Sequence, residues 1–168
     1  HALSQSRWSH VLLLDQDSEP APKAVERLLQ AHAQLALEQG TPVAVGPALR
    51  DPVTGLLHGF HRLEGWRYRR VPPAGYLRIP CDTLNGSGTV TRLGDFVASG
   101  GLDETMFIDH LDTEWSFRVR AVGWRLFGVS EAEFTHRMGD SSRRIWLGGW
   151  RVWPLRSPLR HRLLFRNA

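Results

Sequence analysis

"HVLLLDQDSEP", His10 to Pro20, is an apolar run that ends in two aspartates one residue apart. Trp8 to Leu14 reads as a short buried strand followed by turn chemistry. Asp15 and Asp17 then fall at its C-terminal end, the edge of an open α/β sheet at which ligands bind. Two carboxylates held together repel each other, so the site asks for an offsetting partner: a metal ion, a phosphoryl group or an arginine. A divalent cation with oxygen ligands would serve. The plainer alternative is an Asp that caps the next helix while its neighbour faces water.

Outward from that stretch, Pro20 and Pro22 suit a helix entry, because proline is tolerated in the first turn. Val25, Leu28, Leu29, Leu35 and Ala36 recur at helical spacing, and Gly40 supplies a stop. "TPVAVGP" (Thr41–Pro47) reads as the next strand. Strand, helix, strand in this order predicts a βαβ-type unit with a parallel sheet. Residues 48–84 mix strand-like pieces with Gly and Pro breaks and read as a loop-rich excursion with room for a hairpin. "NGSG" (Asn85–Gly88) is a glycine turn, and "TRLGDFVASGG" predicts a short helix ending near Gly100 and Gly101. "DTEWSFRVRAVG" (Asp112–Gly123) predicts a helix with Asp112 as N-cap and a Glu114–Arg118 pair at i,i+4. "WRLFGVS" follows as a strand.

The length, 168 residues with 42% hydrophobic and 23% charged side chains, suits one globular domain and excludes a disordered chain. Net charge is +4, unevenly spread: residues 1–136 carry 13 basic and 16 acidic side chains, whereas residues 137–168 carry eight Arg against Asp140. Such a tail suits phosphate-rich partners, among them nucleic acid, anionic lipid or a diphosphate, or else is a solvated basic face. The charge break divides the chain into a main part, residues 1–140, and a basic Trp/Arg-rich tail, residues 141–168. Cys81 is the single cysteine, so no internal disulfide forms, which fits a reducing compartment. No apolar run reaches the ~18 residues that a membrane span needs. The chain begins with His1 and a strand-like run comes at once, which reads as a fragment.

Two further constellations join Asp-x-Asp. "MFIDHLDTEW" (Met106–Trp115) brings Asp109, Asp112 and Glu114 behind an apolar approach. Asp112 opens a helix, whose dipole favours an ionised carboxylate, and such a group at a cleft edge can act as a general base. Simple N-capping is the competing reading. His136, in "FTHRMGD" after a strand, is an imidazole that could complete a site begun by Asp17. A structural histidine is the competing reading there.

These elements and the glycine turn between them resemble the family 2 glycosyltransferases, and more narrowly the rhamnosyltransferases of bacterial cell-surface polysaccharide synthesis. The stretches that carry the resemblance are "HVLLLDQDSEP", "NGSGTVTRLGDFVASGGLDETMFIDHLDTEWSFRVRAVGWRL", "THRMGD" and "SPLRHRLLFRN". The resemblance implies a partial GT-A nucleotide-sugar fold: α/β, with a mixed, mostly parallel sheet flanked by helices. It implies an inverting, metal-assisted transfer of a sugar, L-rhamnose on the narrower match, from a nucleotide-diphosphate donor to a glycan or lipid-linked acceptor. Asp17 would hold a divalent cation, Mg or Mn, with Asp15 beside it facing the donor and His136 as a further ligand. Asp112 would be the catalytic base, with Asp109 sharing that role. Gly86, Ser87, Gly88, Glu114 and Trp115 would meet the acceptor, Trp115 as a flat face for a sugar ring. Two positions depart from the broad family: Leu111 stands where an acid usually precedes the base, and Glu114 where an Asp usually follows.

The resemblance further implies that the family's front portion, with its nucleotide pocket, is missing and that the isolated piece is inactive. It implies a cytoplasmic location, with the tail on the inner face of the membrane, and gives nucleic acid no role. Two rival readings differ in class. A haloacid-dehalogenase-type phosphatase would use Asp15 as nucleophile and Asp17 as acid, yet the only lysine, Lys23, comes too soon after the strand. A non-catalytic module would bind membrane or nucleic acid through Trp146, Trp150 and Trp153, which are interleaved with Arg.

Overall fold

The computed structural model describes residues 8–73, 78–106, 110–136, 141–146, 148–155, 157–158, 162 and 165–166. Its centre is a mixed sheet in which two long strands, β3 (Val43–Arg50) and β9 (Arg125–His136), run side by side in parallel. Each shares its outer edge between two short partners. β8 (Val90–Arg92) and β4 (Leu57–His58) flank β3, while β7 (Arg78–Cys81) and β2 (Ser18–Pro20) flank β9. β1 (His10–Leu12) closes the far side against β8. Helices α1 (Ala24–Gln39), α2 (Leu93–Ala98) and α3 (Leu111–Ala121) flank the sheet.

The expected α/β architecture with a mixed sheet and flanking helices is present, but the sheet is not mostly parallel. Among the described strands only β3 and β9 pair in parallel. The expected β1–α1–β3 unit exists, with β1 and β3 pointing the same way. β8 is inserted between them and runs antiparallel to both. A three-residue strand supplied from far along the chain leaves no periodic signal by which this insertion could be read.

The helix α1 forms as its spacing predicts, ending at Gly40, whose φ of 63° is the left-handed conformation that glycine adopts without a Cβ penalty. It buries Ala24, Leu28, Ala31, His32 and Leu35 against one face of β3 and β9, where Val43, Val45, Val129 and Phe134 complete a core. On the opposite face, Ala44 and Ala48 leave room for Trp115, Val119, Trp124, Phe96 and Phe60. Large residues on one side of β3 and small ones on the other thus give the sheet two cores. The 48–84 excursion is more regular than expected. It holds β4, β7 and a separate hairpin of β5 (Phe60–Glu64) and β6 (Arg67–Val71). Every residue of β6 from Arg67 to Arg70 is exposed, so the strand lacks the apolar alternation that would have marked it. The basic tail contributes another hairpin, β10 (Ser141–Trp146) with β11 (Trp150–Leu155).

Candidate functional site

The site is assembled where β1, β2 and β9 end. Between Pro47 and Ala48 the register of β9 against β3 slips, from Pro47 opposite Val129 to Ala48 opposite Glu133. Beyond this bulge β9 leaves β7 and pairs with β2, setting Ser18 directly opposite His136. The Ser18 hydroxyl and His136 Nδ1 are 2.8 Å apart, and Asp17 Oδ1 is 3.3 Å from the same nitrogen. Asp15 Oδ2 lies 3.9 Å from Nε2. One ligand atom from each of Asp15, Asp17 and His136 falls within 4.8 Å of the others. Ligands about 2.1 Å from one ion stand at most about 4.2 Å apart, so little closing movement would let them share a hard divalent cation. Two carboxylates with one imidazole are a donor set that can hold a divalent cation. Both aspartates are about half exposed, which leaves the remaining coordination positions open to an anionic ligand.

The glycine turn lies against this cluster. Leu13 N–H donates to Thr89 O (2.9 Å) and Gly88 N–H donates to Leu13 O (2.8 Å), so the turn is laced to the strand that ends in Asp-x-Asp. The buried Ser87 hydroxyl donates to Ser18 Oγ, and Ser87 N–H donates to Asn85 Oδ1 at 2.8 Å. One residue earlier, Gly86 N–H donates to Asp112 Oδ2 at 3.0 Å. The cluster of acids and imidazole is thereby connected to Asp112 through Ser18, Ser87 and Gly86.

Asp112 sits in the first turn of α3 and is not its cap. The cap is His110, held at a φ of 66° with no side-chain capping bond. Asp112 Oδ1 accepts from Thr113 N–H at 2.8 Å, so each carboxylate oxygen has a backbone donor and keeps further lone-pair capacity. The carboxylate also borders a cavity of about 180 Å³ roofed by the β5–β6 hairpin, with Phe60, His61, Arg70, Asn85 and Thr113 among its walls. Burial lowers the pKa of both His58 and His61, and the neighbouring Arg70 lowers them further. His58, His61 and Arg70 lie in the stretch that reads as a loop-rich excursion, and only the three-residue spacing of the histidines hints at them.

Two expected acceptor contacts fall elsewhere. Trp115 is 1% exposed, packed among Phe96 and Trp124 with its indole N–H donating to Ser99 Oγ (3.2 Å), so it is a core residue and not a sugar platform. Glu114 is engaged by Arg118, with Nε and Oε1 2.6 Å apart, and that guanidinium also binds the carbonyls of Ser99 and Gly101. Of the turn, Gly86 reaches Asp112, while Gly88 packs against Pro47 and Phe134. Asp109 lies outside the described residues.

No protein-family profile matches the chain. It is 35% identical over 82 residues to the dTDP-rhamnosyl transferase RfbF of Shigella flexneri, a match that spans 49% of this chain and 27% of that protein. The match thus spans well under half of the relative's length. The crystal structure of GalNAc-T7 with UDP, GalNAc and Mn2+ superposes with a TM-score of 0.58 at 13% identity, over 82% of this chain and 29% of that one. At that identity the likeness is one of fold, and the fold is that of the GT-A glycosyltransferases.

Proposed function

We propose that this chain, built on the GT-A fold, supplies the metal and acceptor sides of a glycosyltransferase site. The observation that carries the reading is the gathering of Asp15, Asp17 and His136 within 4.8 Å, joined through Ser18 and the glycine turn to Asp112. In this reading Asp112 accepts the proton of an acceptor hydroxyl while its oxygen attacks the anomeric carbon. The bond from that carbon to the diphosphate oxygen breaks, and its electron pair leaves with the nucleoside diphosphate, inverting the anomeric centre. A divalent cation held by Asp15, Asp17 and His136 would offset the charge of the departing diphosphate. Gly86 and Thr113 hold the Asp112 carboxylate in place by their N–H groups. The similarity to the dTDP-rhamnosyl transferase supports dTDP-rhamnose as the donor, and the proposal takes a glycan or lipid-linked glycan as the acceptor.

The test is Mn2+ binding followed by electron paramagnetic resonance, with and without dTDP. The wild-type chain should bind Mn2+ more tightly when dTDP is present, and Asp17→Asn and His136→Ala should each abolish the gain. Equal binding by these variants would overturn the metal side of the reading. A specific observation favours a membrane contact as well. Trp146 and Trp150 face each other across the β10–β11 hairpin and are each 68% exposed, in a segment rich in arginine. Interfacial tryptophans beside cations suit an anionic lipid surface, where a lipid-linked acceptor would be met. Among the described residues no helix is long and apolar enough to cross a membrane. Sedimentation with anionic liposomes, undiminished in a Trp146→Ala, Trp150→Ala double variant, would remove the hairpin from this role.

A further inference from the structure

We infer that the cavity beside Asp112 receives a single saccharide unit bearing an anionic group, a carboxylate or a phosphate, with Arg70 as the residue that reads the charge. The inference rests on the acceptor side of the proposed transfer and narrows its substrate class. Size is the first ground. At about 180 Å³ the cavity falls below the ~300–1,000 Å³ of pockets for drug-sized ligands, so it admits one ring-sized group. Chemistry is the second. A phenyl wall from Phe60, the amide of Asn85 and the hydroxyls of Thr83 and Thr113 are the mixture of flat apolar surface and neutral hydrogen-bonding groups that a sugar needs. Asp112 is placed to take a hydroxyl proton. Arg70, exposed on β6 and lining the cavity, offers a charge that a neutral sugar would not use. No carboxylate stands within ion-pair distance of Arg70 among the described residues, whereas the adjacent Arg69 is paired with Glu64 at 2.8 Å. His58 also lines the cavity, with both ring nitrogens shielded from solvent and without a hydrogen-bond partner among the described residues. Burial, and then the nearby Arg70, lower its basicity. The hairpin that carries Arg70 is fixed over the cavity, since Asp82 N–H donates to His61 O (2.8 Å) and Leu63 N–H donates to Asp82 Oδ2 (2.5 Å).

The experiment is direct binding to the 168-residue chain, by calorimetry or ligand-observed NMR, of methyl β-D-glucuronide, glucose 6-phosphate and methyl β-D-glucoside. No donor, metal or turnover is involved, so this test succeeds or fails separately from that of the proposed transfer. At least one charged sugar should bind about tenfold or more tighter than the neutral glucoside, the effect of one charge-assisted hydrogen bond. The stronger of the two identifies the source of the charge. Arg70→Gln should erase the difference, while Arg69→Gln, which removes the same charge from the neighbouring position, should keep it. Equal binding of all three sugars by the wild type would overturn the inference. So would a preference that survives Arg70→Gln or that falls equally in both variants.

Discussion

Ser18 and His136 lie 118 positions apart in the chain, yet the hydroxyl of one is 2.8 Å from Nδ1 of the other. The contact follows from the register of β2 on β9 and is backed by Ser87, which donates to the same hydroxyl. Partners behind a metal-binding imidazole fix its orientation, and their loss weakens metal affinity about 10–100-fold. Ser18→Ala should therefore weaken Mn2+ binding by about that factor, and it should also lower stability by about 1–3 kcal/mol, because the buried Ser87 hydroxyl loses its acceptor. Treatment with EDTA should abolish the Mn2+ signal in the wild type. Unchanged affinity in Ser18→Ala would mean that β2 and β9 alone orient His136.

Gly88 shows how closely the turn must approach the sheet. Its φ is +86°, and a Cβ there would stand 2.4 Å from Pro47 Cγ and 3.1 Å from Phe134 Cδ2. Gly88→Ala meets both backbone strain and overpacking, each costing about 1–3 kcal/mol. Gly94, in α2, meets nothing within 4 Å. Alanine at position 94 should be neutral or stabilising by about 0.5–1 kcal/mol, because glycine inside a helix is unfavourable. Urea unfolding of the two variants checks the contrast, and equal midpoints would contradict it.

How far this was legible from the residues depends on whether the signal is local. The strand into Asp-x-Asp and the helix after it announce themselves within about ten residues, by an apolar run and by 3.6-residue spacing. The insertion of β8 between β1 and β3 depends on residues 80 positions away and has no local signature. Trp115 illustrates a different limit. Its helix is readable, but whether the indole faces a ligand or the core is decided by Phe96 and Trp124, which meet it only after folding. His58 and Arg70 escape for a related reason: strands as short as β4 and as exposed as β6 carry too few buried positions to mark a face.

A histidine pair, His32 buried and His10 half-buried, sets an acid limit on stability. The Val43 carbonyl can only accept, so His32 Nε2, 3.1 Å away, carries the proton. With both rings neutral, His32 Nδ1 accepts from His10 Nε2 at 3.3 Å, and His10 Nδ1 accepts from Ser9 Oγ at 2.9 Å. Each of the three contacts then holds one proton, so the relay is complete without a charge on either ring. Burial lowers both pKa values below 6.5, with Arg92 contributing at His10 and the His10 ring at His32. A histidine whose folded pKa is depressed stabilises the fold above 6.5 and loses that contribution as the pH falls through and below it. The thermal midpoint should fall between pH 7.5 and 5.5 in the wild type, and by less in His32→Gln. A flat wild-type profile over that window would contradict the neutral relay.

Cys81 should be inert in the folded chain. It is 5% exposed, and burial, with Asp82 adding to it, pushes its thiol up to about 12. The thiolate is the reactive form, and at pH 8 almost none is present. Iodoacetamide at pH 8 should leave native protein unmodified for hours and label it rapidly in urea, read by mass. Fast native labelling would show that β7 opens.

Asp112→Asn separates the chemical role of Asp112 from its structural one. The carboxylate accepts Gly86 N–H through Oδ2 and Thr113 N–H through Oδ1. An asparagine can keep one of these bonds but must turn its NH2 towards the other donor, a loss of about 0.5–1.5 kcal/mol for one hydrogen bond. The fold should survive, and Mn2+ binding by Asp15, Asp17 and His136 should be intact, because their ligand atoms do not include Asp112. With a donor and acceptor that support turnover, kcat should fall by about 10²–10⁴, the contribution of a positioned base, while KM moves little. Asp112→Glu would displace the carboxylate by one methylene and should recover part of the rate, which a merely structural role does not predict. Full activity in Asp112→Asn would remove Asp112 as the proton acceptor, and a loss of Mn2+ binding in the same variant would show that the glycine turn transmits its effect to the metal ligands.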